Sequence, residues 1–276
     1  MNTYWRVATK AICAGRNYVA HAAELNNPLP ANPFFFLKPT STFLPFNDTP
    51  FGGSSGVPNQ IEYTSTNSGV HHEVELCVII GEKIHNVAIE NALSKVAGYS
   101  IGLDMTLRDV QDAQKAKRLP WTPAKAFDTS LGLGPFIPAS DITNPNEIDI
   151  WLTVNGEIQQ SASTNLMIFN VERLISDASK IMTLYPGDIV MTGTPQGEFE
   201  VVCDDQIFVS FLHFFLSIPS NIYHMSILHI YSLVHGLCFS FLYFKLGVGQ
   251  VMDGAVLECG IKQHLSSNCQ FTVREV

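Results

Sequence analysis

The chain has 276 residues, 46% of them hydrophobic, enough to bury a sizeable core and near the upper end of what one domain holds. Its formal net charge of -9 gives no electrostatic footprint for nucleic acid or an anionic membrane surface, which leaves small molecules and protein surfaces as partners. Six cysteines, at positions 13, 77, 203, 238, 259 and 269, show neither CxxC nor zinc-like spacing and argue for free thiols in a reducing compartment.

The first residues carry Arg6, Lys10 and Arg16 before any acid, without the apolar run of a secretory signal, so they amount at most to a trimmed organellar signal. Residues 29–57 are rich in Pro, Phe, Ser and Gly, which reads as loop and edge structure. The first clear strand is expected at 73–80. Period-2 alternation there sets Val74, Leu76, Val78 and Ile80 on a core face, and Glu73, Glu75, Cys77 and Ile79 on a face that begins with two acids. Residues 88–96 read as a short helix, 98–104 as a strand, and 106–118 as a polar helix ended near Pro120. Residues 148–154 and 157–159 flank Asn155-Gly156, the strongest short hairpin signal. Asn170 can cap a helix whose apolar positions Val171, Leu174, Ile175, Ala178, Ile181 and Met182 follow the 3.6 period. Pro186-Gly187-Asp188 then turns into a strand at 189–191. Strands outnumber helices without a βαβ rhythm, which predicts an α+β domain on a mixed or antiparallel sheet.

Residues 198–246 break character. Between Ile207 and Phe244 the charge-bearing side chains are histidines alone, and residues 221–244 are long enough to span a bilayer. Contact with a membrane is expected only through 207–244, if at all.

Chemistry concentrates at three places. Glu73 and Glu75 point the same way on one strand and Asp104 ends another, a hard-oxygen set that suits Mg²⁺ or Mn²⁺; the bland alternative is a solvated acidic face. His21 and Glu24 share a helix face, as an acid-base pair or as an exposed ion pair. Arg108 and Lys125 can neutralise a carboxylate substrate, or be surface charges. His71 and His72, beside the acidic strand, are read as strand-edge residues rather than ligands.

A set of motifs in fixed order carries a resemblance. Gly15-Arg16-Asn17-Tyr18, Phe36-Leu37-Lys38-Pro39, 71–76 (HHEVEL), 103–111 (LDMTLRDVQ), Lys125-Ala126-Phe127, Val154-Asn155-Gly156-Glu157 and 186–195 (PGDIVMTGTP) resemble the fumarylacetoacetate hydrolase family, and most of all its small single-domain acylpyruvases that also decarboxylate oxaloacetate. The resemblance implies a mixed β-roll, usually a homodimer, acting on small oxo acids. It implies that Glu73, Glu75 and Asp104 bind Mg²⁺ or Mn²⁺, that His21 and Glu24 lie on a lid, and that Lys125 sits in the pocket. By the same matching Arg108, Gln111 and Thr194 contact substrate. The family's eukaryotic members suggest the mitochondrion, while the short N-terminus fits the cytosol. Where the family has one continuous Gly-Thr-Pro-x-Gly-Val-Gly loop, Gly193-Thr194-Pro195-Gln196-Gly197 is followed by 49 residues before Gly247-Val248-Gly249 resumes. One domain over 1–276, interrupted at 198–246 by a membrane anchor or by translated non-coding sequence, is the expected organisation. The residues that T-rich codons specify favour the second origin, and the tail near 264–268 reads as altered. A displaced 193–197 loop is expected to weaken substrate binding. The alternatives are a family isomerase or hydratase of small oxo acids, or an inactive isoform owing to the insert.

Overall fold

The computed structural model describes residues 3–46, 59–63, 70–197, 200–201, 206–212, 256–261 and 264–275. The chain divides into two units, Met1–His213 with Val251–Val276, and Phe214–Gln250; the second lies outside the described residues. The first unit is α+β. Its largest sheet is mixed, in the spatial order Phe35–Lys38, Ala11–Ala14, Ile189–Met191, Val74–Ile80, Val96–Asp104, Leu131–Leu133, Phe43–Pro45. Two of its pairings are parallel, Ala11–Ala14 with Ile189–Met191 and Phe43–Pro45 with Leu131–Leu133. A second, six-stranded sheet holds Glu157–Ser163, Asp149–Val154, Gln206–Leu212, Val256–Ile261, His264–Glu275 and Gln60–Tyr63.

Val74–Ile80 is central, and this changes one expectation. The alternation is as read, but both faces are buried rather than one. Val74, Leu76, Val78 and Ile80 enter the larger core, while Cys77 and Ile79 enter a smaller core with Tyr4, Trp5, Leu133 and Met191. A strand flanked on both edges and covered on both faces has no solvated side, so the acids at its start are buried as well. The Pro- and Phe-rich stretch supplies the two edge strands, Phe35–Lys38 and Phe43–Pro45. Ala11–Ala14, which no periodicity announces, is a further strand of this sheet.

The hairpin forms with Asn155 and Gly156 both at positive φ and Val154 opposite Glu157. Asn170 caps Val171–Ile181 by accepting the Arg173 N–H at 3.0 Å, though Ile181 is exposed rather than in the core and Met182 lies past the helix end. The polar helix spans Arg108–Lys117 and stops with Arg118 in the left-handed region, while Thr106–Leu107 is a short strand instead of its first turn.

Part of the stretch expected to be foreign, 198–246, lies in sheets. Glu200–Val201 pairs with Val70–His71, and Gln206–Leu212 lies between Asp149–Val154 and Val256–Ile261. From 213 to 255 the chain, including residues 221–244, is outside the described residues. Among the described residues no helix is long and apolar enough to cross a membrane. Cys13 and Cys77 are free and buried.

Candidate active site

One strand and its neighbour position three carboxylates. Glu73 precedes Val74–Ile80 and Glu75 lies on it, so both side chains leave by the same face. The antiparallel partner Val96–Asp104 runs in the register Val74 to Leu103, which brings its last residue, Asp104, beside Glu73; the Asp104 amide donates to the Glu73 carbonyl at 2.8 Å. The three buried carboxylates have ligand oxygens within 4.8 Å of one another. Neither His71 nor His72 joins them. Neither is the strand-edge residue expected: His71 lies on Val70–His71, the middle strand of a three-stranded sheet between Glu200–Val201 and Thr106–Leu107, and His72 is fully buried with Nδ1 3.1 Å from Gln160 Oε1.

Cations lock two of the three acids. The Lys125 ammonium, at the end of the short helix Thr122–Lys125, lies 2.8 Å from both Glu73 Oε2 and Asp104 Oδ2. Arg108 donates to Glu73 Oε1 at 2.5 Å and to Gln111 Oε1 at 2.6 Å. Lys38 is fully buried, 2.9 Å from Asp104 Oδ1; it also donates to Ser130 Oγ and O at 3.0 Å and, in a very short contact, to the Lys125 carbonyl. Sequence reasoning gave Lys38 no role. Its signals are a cation closing the apolar run 34–37 and a place in the Phe36-Leu37-Lys38-Pro39 motif.

The pairing decides the electrostatics. Burial alone would raise the Glu73 carboxyl, but Lys125 and Arg108 hold it well below the usual carboxylate range. Glu75 moves the other way: burial, then the Asp104 and Glu73 carboxylates, push it well above that range. Against them stand Lys125 and the Gly193 amide, which donates to Glu75 Oε2 at 2.8 Å. Burial disfavours the charged form of Lys125, yet Asp104 and Glu73 outweigh it and keep the ammonium protonated. For Lys38 burial prevails over Asp104, and the pKa falls. Glu75 is therefore the acid without a cation in direct contact. A divalent cation among Glu73, Glu75 and Asp104 would supply the missing charge, and an all-oxygen donor set fits Mg²⁺ or Mn²⁺.

These groups floor a small pocket of about 30 Å³ whose wall includes His21, Arg108, Gln111 and Thr194. Eight of the nine expected site residues line it; Glu24 does not. His21, on the helix Val19–Glu24, is buried rather than part of an exposed ion pair, and its Nδ1 lies 3.6 Å from Glu24 Oε2, beyond hydrogen-bond reach. The Glu24 carboxylate instead accepts the Gly197 N–H, at 3.2 Å from each oxygen. Thr194 lines the wall with its hydroxyl already committed, donating to the Val74 carbonyl at 2.9 Å and accepting from Gln160 at 2.8 Å. The 193–197 loop is thus held in place by three elements, not displaced. Gly193 at φ 93° makes this possible, because a Cβ there would lie 2.7 Å from that of Asn17. Asn17, also missed, clasps the loop by donating to the Thr192 carbonyl at 2.7 Å.

Comparisons with known proteins agree with this architecture. Residues 10–216 match the family model described as fumarylacetoacetate (FAA) hydrolase C-terminal. The chain is 45% identical to the mitochondrial oxaloacetate decarboxylase of Dictyostelium discoideum, over 71% of this chain and 86% of that protein. It is 39% identical to the mitochondrial oxaloacetate tautomerase FAHD1 of Homo sapiens, over 75% and 89%. Among solved structures it resembles fumarylpyruvate hydrolase from Pseudomonas aeruginosa in complex with Mn²⁺ and pyruvate, with 35% identity and a TM-score of 0.67 over 74% of this chain and 85% of that one. Likeness of this extent, in sequence and in fold together, makes the chain a member of the fumarylacetoacetate hydrolase family.

Proposed function

We propose that the chain is a divalent-metal-dependent enzyme of small 2-oxo acids, which decarboxylates oxaloacetate or moves its enol proton and hydrolyses the C–C bond of 3-acylpyruvates at the same site. The observation that carries this reading is the inequality inside the acid cluster: Glu73 and Asp104 have cations in contact and Glu75 has none. Three carboxylates balance Lys38, Lys125 and Arg108, so a dication leaves the floor with two positive charges, suited to an anionic acid. The names of the relatives support the substrate class, and Mn²⁺ with pyruvate in one of them supports the cofactor.

Bound Mg²⁺ or Mn²⁺ would supply Lewis-acid polarisation of the substrate's 2-oxo and carboxylate oxygens. The remaining work falls to side chains. All three reactions share the enolate of a 2-oxo acid, and Lys125, kept protonated, donates to the oxygen on which that charge gathers. Decarboxylation leaves the electron pair of the broken C–C bond in the enolate. Hydrolysis reaches the same species after water adds to the distal carbonyl and the bond breaks; protonation at C3 then yields pyruvate and a carboxylic acid. His21 takes the proton from C3 or from water, and the Glu24 carboxylate, 3.6 Å from Nδ1, favours the imidazolium so formed through its charge. Arg108 and Gln111, joined to each other, hold the substrate carboxylate. A 30 Å³ pocket has room for about one water, so substrate entry requires the helix Val19–Glu24 to withdraw as a lid. We further propose a mitochondrial location, in keeping with the relatives' names, and a homodimer, which rests on the family resemblance alone.

The test is Mg²⁺-dependent pyruvate release from oxaloacetate and from acetylpyruvate by the full chain, beside versions lacking 198–246 or 213–246. Turnover by the full chain is expected, because the 193–197 loop is formed. Turnover by a shortened version alone makes this chain an inactive isoform of the same enzyme. No turnover by any version sinks the assignment.

A further inference from the structure

Arg16 follows Gly15 between the strand Ala11–Ala14 and the helix Val19–Glu24, and it holds a φ of 55°. A left-handed backbone at a bulky residue persists only where its surroundings impose it. Phe34 is that surrounding. Its ring fills the space a side chain at position 15 would need, 2.3 Å from a Cβ placed there, and the Arg16 guanidinium lies 5.7 Å from the centre of the same ring. Phe34 meets Trp121 edge-on at 5.8 Å, and the Lys115 ammonium lies 5.7 Å over Trp121. An aromatic pair therefore props two cations in the wall of the pocket, which both residues line. Lys115 already has Asp112 at 3.0 Å. Among the described residues no carboxylate lies within ion-pair distance of Arg16, and its Nε is buried without a hydrogen-bond partner.

We infer that Arg16, assisted by Lys115, is the receptor for the distal carboxylate of a dicarboxylic 2-oxo acid, so that the pocket selects its substrate by the tail as well as the head. The inference rests on the oxo-acid reading of the acid cluster. It gives a buried guanidinium donor its acceptor and explains why the backbone is held in a costly conformation to aim it. An uncharged tail has a different destination, an adjoining apolar recess of about 430 Å³ lined by Phe34, Leu37, Leu119 and Trp121. Tails of equal length and unequal charge therefore separate the two.

The test is calorimetric titration of the full chain, in Mg²⁺, with 2-oxoglutarate and with 2-oxopentanoate, which share a carbon skeleton and differ in the tail carboxylate. The chain should prefer 2-oxoglutarate by about 10-fold or more, the size of one charge-assisted hydrogen bond. Arg16→Leu should bring the ratio close to one, Arg16→Lys should keep part of it, and Lys115→Leu should lower it by about 3-fold, the scale of a half-exposed charge. A ratio that survives Arg16→Leu, or survives both Arg16→Lys and Lys115→Leu should the leucine variant not fold, overturns the receptor. So does equal binding of the two acids by the unaltered chain, which leaves the oxo-acid reading standing. Failure of the unaltered chain to bind either acid sinks the oxo-acid reading instead.

Discussion

The floor of the pocket and its rim are built on opposite terms. The floor stands on two adjacent strands inside a sheet, and its acids and cations are cross-linked by four short ion pairs. The rim is a six-residue helix, tied to the 193–197 loop by one amide shared between two carboxylate oxygens. On the function proposed, the groups that would hold a metal are the cross-linked ones, and those that would admit substrate are the ones with fewer ties. One member of the floor is left under electrostatic stress: Glu75, repelled by its two neighbours.

Four experiments break or sharpen that contrast. Glu75→Gln has the largest effect. It should cost about 1000-fold in turnover, some 4 kcal/mol, and abolish tight Mn²⁺ binding, while raising the melting temperature of the metal-free chain, because a repelled buried charge is gone. Unchanged Mn²⁺ affinity in calorimetry would place the metal elsewhere. Lys38→Met strips the Asp104 carboxylate and buried carbonyls of a donor and should lower unfolding free energy by about 3 kcal/mol in denaturant titration; a loss below about 1 kcal/mol would show that the floor is not locked. At the rim, Glu24→Gln should slow turnover by about 10-fold with less than about 1 kcal/mol lost from stability, the reverse of the Lys38 pattern. If both fall together, rim and floor are not distinct.

The smallest effect lies away from both. Burial would raise the Asp177 carboxyl, but hydrogen bonds from Lys180 and Arg173 hold it below its ordinary value. Its folded pKa is thus depressed, and the unfolded chain binds the proton more readily. The stabilisation is present above the unfolded value and is lost as pH falls through the folded one. At this half-exposed site Asp177→Asn should cost about 0.5 kcal/mol near neutral pH, and the gap to the unaltered chain should close in acid. A gap independent of pH would assign the effect to helix propensity.

Much of the floor was legible in the sequence because its elements are local. The period of 73–80, the Asn155-Gly156 turn and the Asn170 cap each reflect interactions within a few residues, and the motif order placed Asp104 and Lys125 with Glu73 and Glu75. Lys38 was not legible as a site residue, since its contacts lie 66 to 92 positions away, at Asp104, Lys125 and Ser130, and no local pattern marks a lysine as buried. The strand Ala11–Ala14 was missed for the same reason: four small residues gain their strand state from flanking strands rather than from propensity. Nor could alternation reveal that both faces of Val74–Ile80 are covered, which is what buries Glu73 and Glu75. Residues 200–201 and 206–212, inside the 198–246 stretch, find partners in sheets made by distant segments, which no local pattern reveals.

The bond between Glu24 and Gly197 has a consequence for closure. A latch of one exposed amide is worth about 1 kcal/mol net, so this bond by itself changes a closed-to-open ratio only about fivefold. On the lid proposed, the burial of His21 and Ala22 adds to closure, and what the pocket has caught adds the rest.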